Sequence, residues 1–146
     1  MQELSLTDSF FALLHKAVFA TDRHANALLI KENSTFSDFL ILNTLLRCED
    51  LSQQNIALFL NLTPAAVSRH IDILVKRELA QRTEDPRSRR ANRITLTQKG
   101  KTEIARMQKV LRKGFKNNIA VLSEKEMKSV CRVLEVLLKS FTNKTA

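Results

Sequence analysis

A chain of 146 residues with 44% hydrophobic side chains is long enough, and apolar enough, for one domain with its own core. Its 24 Lys and Arg against 15 Asp and Glu leave a formal charge of +9 and a pI of about 10.0, which favours a polyanionic partner, nucleic acid first and an anionic membrane second. No apolar run approaches the roughly 18 residues that cross a bilayer, and the acidic start lacks the positive n-region of a signal peptide, so a cytoplasmic protein is expected. Two glycines are too few for a phosphate-cradling loop, and His15, His24 and His70 lack any metal-ligand spacing. Cys48 and Cys131 form neither a C-x-x-C nor a disulfide framework. An enzyme, a bound cofactor and a metal centre are all unsupported.

Leu6, Phe10, Leu14, Ala17, Ala25 and Leu28 recur near every 3.6 residues and predict one long amphipathic helix from about Leu6 to Leu29. After the polar break "KENS", Thr35 and Asp38 make a T-x-x-D cap for a second helix that ends near Arg47. Ser52 caps a third, short helix with Ile56, Ala57 and Leu60 inward, and Asn61 sits where the chain must turn sharply. Thr63 caps a fourth helix with Pro64 at its first position, where a missing N–H costs nothing; Val67, Ile71, Leu74 and Val75 are its buried stripe. Two short helices joined by so tight a turn describe a helix-turn-helix.

"LAQRTE" and "NRITLT" alternate as strands do and flank the basic loop "DPRSRRA", predicting a β-hairpin. A fifth helix starts at Thr97 with Ile104, Met107, Leu111, Phe115, Ile119 and Leu122 in period, interrupted by Gly114. An S-x-x-E box at Ser123 and Glu126 opens a last helix whose apolar face holds Met127, Val130, Leu134, Leu137 or Leu138, and Phe141. The expected class is mainly α with a small hairpin (α+β), one domain over 1–146. About 35–100 would be its DNA-binding lobe, and about 1–31 and 98–141 its helical dimerisation region.

The second helix of a helix-turn-helix has the diameter of the DNA major groove, and its N-terminal residues reach base edges. With Val67, Ile71 and Leu74 inward, about 100° per residue puts Ala65, Arg69, Asp72 and Lys76 outward. Arg69 is the long donor suited to a guanine; Ala65 and Ala66 allow close entry, and Ser68 and His70 flank the face. Asp72 opposes phosphate and is expected to pair with Lys76, four residues on.

The stretch from Leu51 to Gly100 resembles the winged helix-turn-helix of the MarR (multiple-antibiotic-resistance regulator) family. Its pattern appears as Ala66 to Leu74, Arg82 at the wing's start, Asp85 to Arg87, and Ile94 to Gly100. The long first helix and the capped "LSEKEM" match that family's layout. The resemblance implies a transcriptional regulator, a homodimeric repressor on double-stranded DNA with a pseudo-palindromic operator, released by a small phenolic or lipophilic effector or by another signal. With the reading above, the candidate DNA-binding residues are Ser52, Thr63, Pro64, Ala65, Ala66, Ser68, Arg69, His70, Lys76, Arg82, Arg87, Arg89 and Arg90. Arg90 matches the wing arginine that enters the minor groove, while Ser88 stands where many relatives have an Asp.

The terminal helices carry more apolar surface than a winged helix covers, which itself argues for self-association. The candidate dimerisation residues are Phe10, Phe11, Leu14, Val18, Phe115, Ile119, Leu134, Leu138 and Phe141. Cys48, at a helix end beside Arg47, is expected to be exposed and is the candidate redox residue; Cys131 is expected in the core. The competing function is a winged-helix module that binds DNA without sequence preference or binds an acidic protein.

Overall fold

A computed structural model describes residues 5–48, 51–85 and 88–142, the side chains of 85, 88–92 and 142 excepted. Six helices and three strands follow one another as α1 (Leu6–Ile30), α2 (Phe36–Arg47), β1 (Leu51–Ser52), α3 (Gln53–Leu60), α4 (Pro64–Lys76), β2 (Ala80–Asp85), β3 (Ser88–Leu96), α5 (Gln98–Ile119) and α6 (Glu124–Thr142). Every predicted helix is present. The predicted hairpin is β2–β3, and β1 adds a third antiparallel strand in the order β1-β3-β2, with Leu51 opposite Ile94 and Ser52 opposite Arg93. Two residues carry too little alternation to announce a strand; β1 forms because the edge of β3 offers backbone partners.

Three helices end without glycine. Asn33, Asn61 and Glu78 adopt positive φ of 56°, 51° and 60° after α1, α3 and α4. In each case the next N–H closes onto the carbonyl five residues back: Ser34 to Leu29, Leu62 to Ala57 and Leu79 to Leu74, at 3.0, 3.0 and 2.9 Å. These are Schellman closures, which satisfy the last carbonyls and reverse the chain within two residues. The α3–α4 turn thereby needs only Asn61, Leu62 and Thr63.

The chain divides into two compact units, Met1–Leu111 and Arg112–Ala146. In the first, Leu29 of α1, Ile41 and Leu42 of α2, Ile56 of α3, Val67, Ile71 and Leu74 of α4, Ile94 of β3 and Ile104 and Met107 of α5 form the fully buried core. Leu60 and Val75, expected inward, are half-buried. Gly100, in the first turn of α5, lies so close to the Leu79 carbonyl that a Cβ would collide with it. Thr97, expected as the first helical residue, is instead the cap: its Oγ1 accepts from the Gly100 N–H at 2.9 Å and donates to the Glu78 carbonyl at 2.6 Å.

The second unit has no buried side chain among its described residues. Cys131, expected in the core, is exposed because nothing in its own unit covers that face of α6; Cys48, expected exposed, is half-buried. Helix α6 opens with the predicted capping box, in which the Ser123 hydroxyl and N–H donate to Glu126 Oε2 at 2.6 and 2.8 Å. Those two bonds, the hydroxyl's first, hold the Glu126 carboxyl below its ordinary range.

Two outcomes follow. Replacing Gly100 by Ala sets a methyl against backbone that cannot rotate away, and should lower the unfolding free energy by about 1–3 kcal/mol in denaturant titration. The Glu126 bonds favour the ionised form, so their contribution is present at neutral pH and lost as pH falls through the depressed folded value. Protection factors of the amides at Glu124–Met127, corrected for the intrinsic pH dependence of exchange, should therefore fall in acid, and Ser123→Ala, which removes the hydroxyl bond and keeps the N–H one, should weaken that dependence.

Candidate nucleic-acid interface

Helix α4 is defined at both ends by local chemistry. Thr63 Oγ1 accepts from the Ala66 N–H at 3.2 Å and Pro64 occupies the first turn, so the helix starts abruptly after the turn. Its stripe of Val67, Ile71 and Leu74 is fully buried. The opposite side presents Pro64, Ala65, Arg69, Asp72 and Lys76 to solvent, with Ala66 and Ser68 half-buried beside them. The first turn thus bears only small side chains, and Arg69 is its first long donor. Such a surface admits a groove wall closely and offers one guanidinium for bidentate recognition.

Ser52 lies apart from α4 on the chain but serves the same lobe: its Oγ caps α3, accepting from the Asn55 N–H at 3.1 Å. It is half-buried, at the point where β1 hands over to α3. Capping by Ser52 and Thr63 leaves the other early N–H groups of the two helices as anion donors.

The structure pairs Asp72 with Arg82, not with Lys76 as expected from the i,i+4 spacing. Arg82 Nη2 lies 2.5 Å from Asp72 Oδ1, joining the outer face of α4 to strand β2. An arginine presented from a strand beside the helix makes a directed contact that a flexible lysine on the same helix does not match. Because both side chains are substantially exposed, the pair orients the hairpin against α4 more than it stabilises the fold. Arg87 falls outside the described residues. Arg89 and Arg90 belong to β3 by backbone, with no side chain described, so the division of labour among the three wing arginines stays as the sequence posed it.

His70 stands differently from its neighbours. Its side chain is only 16% exposed, and Nδ1 meets Asp38 Oδ1 at 2.9 Å. With a carboxylate opposite, Nδ1 is the donor. Asp38 is itself buried at 3% and forms the predicted capping box of α2, its Oδ2 accepting from the Thr35 N–H at 2.9 Å and its own N–H donating to Thr35 Oγ1 at 3.1 Å. At the C-cap of α4, Arg77 Nη2 donates to the buried Ser34 Oγ at 3.1 Å and lies 3.6 Å from Glu103 of α5. Glu103 accepts from Arg106, which also pairs with Glu32. The His70–Asp38, Arg77–Ser34 and Arg106–Glu32 contacts span 32, 43 and 74 residues in sequence, and no local pattern announces them.

Of the candidate dimerisation residues, Phe10, Phe11, Val18, Ile119, Leu134, Leu138 and Phe141 are exposed, from 38% at Phe10 to 64% at Leu138, and Leu14 and Phe115 are half-buried. Phe10 and Phe11 pack edge to face with centroids 5.4 Å apart. Among the described residues no group of His, Cys, Asp or Glu is arranged to hold a metal ion, and no helix is long and apolar enough to cross a membrane.

Comparison with known proteins agrees with this geometry. Residues 35–91 match the model of the MarR family, a span that holds α2, the helix-turn-helix and most of the hairpin. No curated protein matches the chain by sequence. Among solved structures, the chain is similar to the transcriptional regulator BldR from Sulfolobus solfataricus, at 24% identity and TM-score 0.84 over 98% of this chain and 99% of that one. It is similar to a mutant MarR from E. coli complexed with operator DNA, at 18% identity and TM-score 0.80 over 94% and 99%. It is also similar to Bordetella bronchiseptica BpsR, whose DNA binding is regulated by 6-hydroxynicotinic acid, at 20% identity and TM-score 0.77 over 88% and 98%. Residues 35–91 thus match the MarR family's model, and nearly the whole chain shares the fold of these solved regulators.

Proposed function

We propose that this protein is a sequence-specific DNA-binding transcriptional regulator of the cytoplasm, a homodimeric repressor that holds a pseudo-palindromic operator until a signal releases it. The observation that carries the reading is the outer face of α4, where Ala65, Ala66 and Ser68 make a low profile and Arg69 supplies an exposed donor beside a basic hairpin. Arg69 reads a base edge, and Lys76, the capped N-termini behind Ser52 and Thr63, and Arg87 and Arg89 take phosphates. Arg90 enters the minor groove, where the field of a narrow A/T-rich segment favours a guanidinium. Arg82 acts through Asp72, aiming the hairpin toward the same groove.

Dimerisation is supported by the apolar side chains that the chain leaves uncovered on α1 and throughout Arg112–Thr142, more than a soluble monomer ordinarily exposes. A twofold pairing presents two α4 helices to half-sites one turn of DNA apart, about 10 base pairs centre to centre. The E. coli relative with its operator DNA supports the DNA reading, and the small aromatic acid that regulates BpsR supports a phenolic or lipophilic effector. Oxidation is the alternative signal, with Cys48 half-buried and Cys131 exposed.

A winged-helix module that binds DNA without sequence preference makes different demands on the same residues. For the operator reader, Arg69→Ala should cost about 1–3 kcal/mol of discrimination at one base-pair position and its symmetry mate, while Lys76→Ala weakens all duplexes alike. The logarithm of the association constant should fall against the logarithm of salt with a slope of about −5 to −9 for six to ten phosphate contacts. Both are read from gel-shift or anisotropy titrations of matched and scrambled duplexes. Equal losses on every duplex for Arg69→Ala would favour the non-specific module.

A further inference from the structure

We infer that His70 and Arg77 are positioning residues, a two-point clamp that sets α4 against the N-terminus of α2, and that His70 serves DNA recognition through Asp38 without touching DNA. The inference rests on the reading of α4 as the recognition helix and says what holds that helix in register.

Ser34 and Asp38 are the two polar side chains buried among the described residues, each 3% exposed, and they straddle the Thr35 cap of α2. Each receives a donor from α4 or its C-cap: His70 Nδ1 to Asp38 at 2.9 Å, Arg77 Nη2 to Ser34 at 3.1 Å. Seven residues separate the donors, so they lie about 10 Å apart along the axis and within about 20° of one another around it. One attachment on a packed helix leaves a pivot. Two on the same edge fix its rotation and its axial position together. Arg77 is itself braced by Glu103, which Arg106 holds in turn through a contact of 2.6 Å.

The consequence for recognition is geometric. Side-chain atoms on the outer face lie about 6 Å from the helix axis, so a rotation of about 20° displaces them by about 2 Å. A bidentate contact to a base tolerates only a few tenths of an ångström in its donor–acceptor distance. Arg69 is adjacent in sequence to His70, and its aim therefore depends on the imidazole that stops the helix turning. His70 cannot serve both ends equally: its Nδ1 is committed to a buried carboxylate whose other oxygen already accepts from Thr35.

The test uses the full chain and a duplex of about 30 base pairs, enough for two half-sites and flanks, enriched by the wild-type protein from a random pool, beside a scrambled duplex of equal composition. Affinity and its salt slope are measured for His70→Ala, His70→Asn, Arg77→Met and Asp38→Ala, well below each variant's unfolding midpoint. His70→Ala and Arg77→Met should each lose about tenfold on the enriched duplex and little on the scrambled one. The salt slope of His70→Ala should be unchanged. His70→Asn, whose amide can take the place of Nδ1, should recover most of the loss, and His70→Ala should cost nothing further in an Asp38→Ala background. Should Asp38→Ala fail to fold, the asparagine rescue and the salt slope decide the matter. His70→Asn binding as poorly as His70→Ala, or a reduced slope for either, overturns the clamp while wild-type selectivity stands. Equal binding of both duplexes by the wild-type chain overturns the operator reading and the clamp together.

Discussion

The first unit, Met1–Leu111, is organised around a buried carboxylate. Removing a charged group from water costs several kcal/mol unless its acceptor sites are filled, so Asp38 is tolerated at 3% exposure only because both oxygens have donors. Thr35 supplies one from the start of α2, and His70 the other from the middle of α4. The adjacent turn is closed just as firmly, Asn26 Oδ1 of α1 accepting from the Phe36 N–H at 2.8 Å. Three helices thus converge on five consecutive residues, Ser34 to Asp38. The hydrophobic core around Ile41, Ile71 and Leu74 supplies the cohesion, and this junction supplies direction, since apolar packing alone is not directional.

The outer surface follows from that arrangement. Once one side of α4 is committed to the core and its edge to Ser34 and Asp38, the far side is free to be small and basic. Arg82 then crosses from β2 to Asp72, so the hairpin is referred to the same helix. Buried contacts align α4, and an exposed pair aligns the hairpin to α4.

Near-absence of glycine leaves its mark on the same lobe. With Asn33, Asn61 and Glu78 in left-handed geometry, helix termination falls to residues that bear a Cβ, at a cost that the Schellman hydrogen bonds offset. Gly100 is kept where no side chain fits, at the approach of α5 to the Leu79 carbonyl. Arg112–Thr142 contrasts with this economy, since amphipathic α6 buries nothing among the described residues of its unit.

By itself the sequence determined the helices, their caps and the helix-turn-helix, because caps, Asn61, Pro64 and apolar periodicity act over a few residues. Thr35–Asp38, Thr63–Pro64 and Ser123–Glu126 were legible as start signals for that reason, and the outward face of α4 followed from its buried stripe. Strand β1 was not legible, because two residues acquire a strand only when β3 is beside them. Nor was the Asp72–Arg82 pair, where a strand from elsewhere in the lobe outcompetes the neighbour four residues away. The commitment of His70 to Asp38 and of Arg77 to Ser34 was decided by the tertiary structure alone, since buried polar groups are satisfied by whatever donor the packing brings within about 3 Å, however distant in the chain.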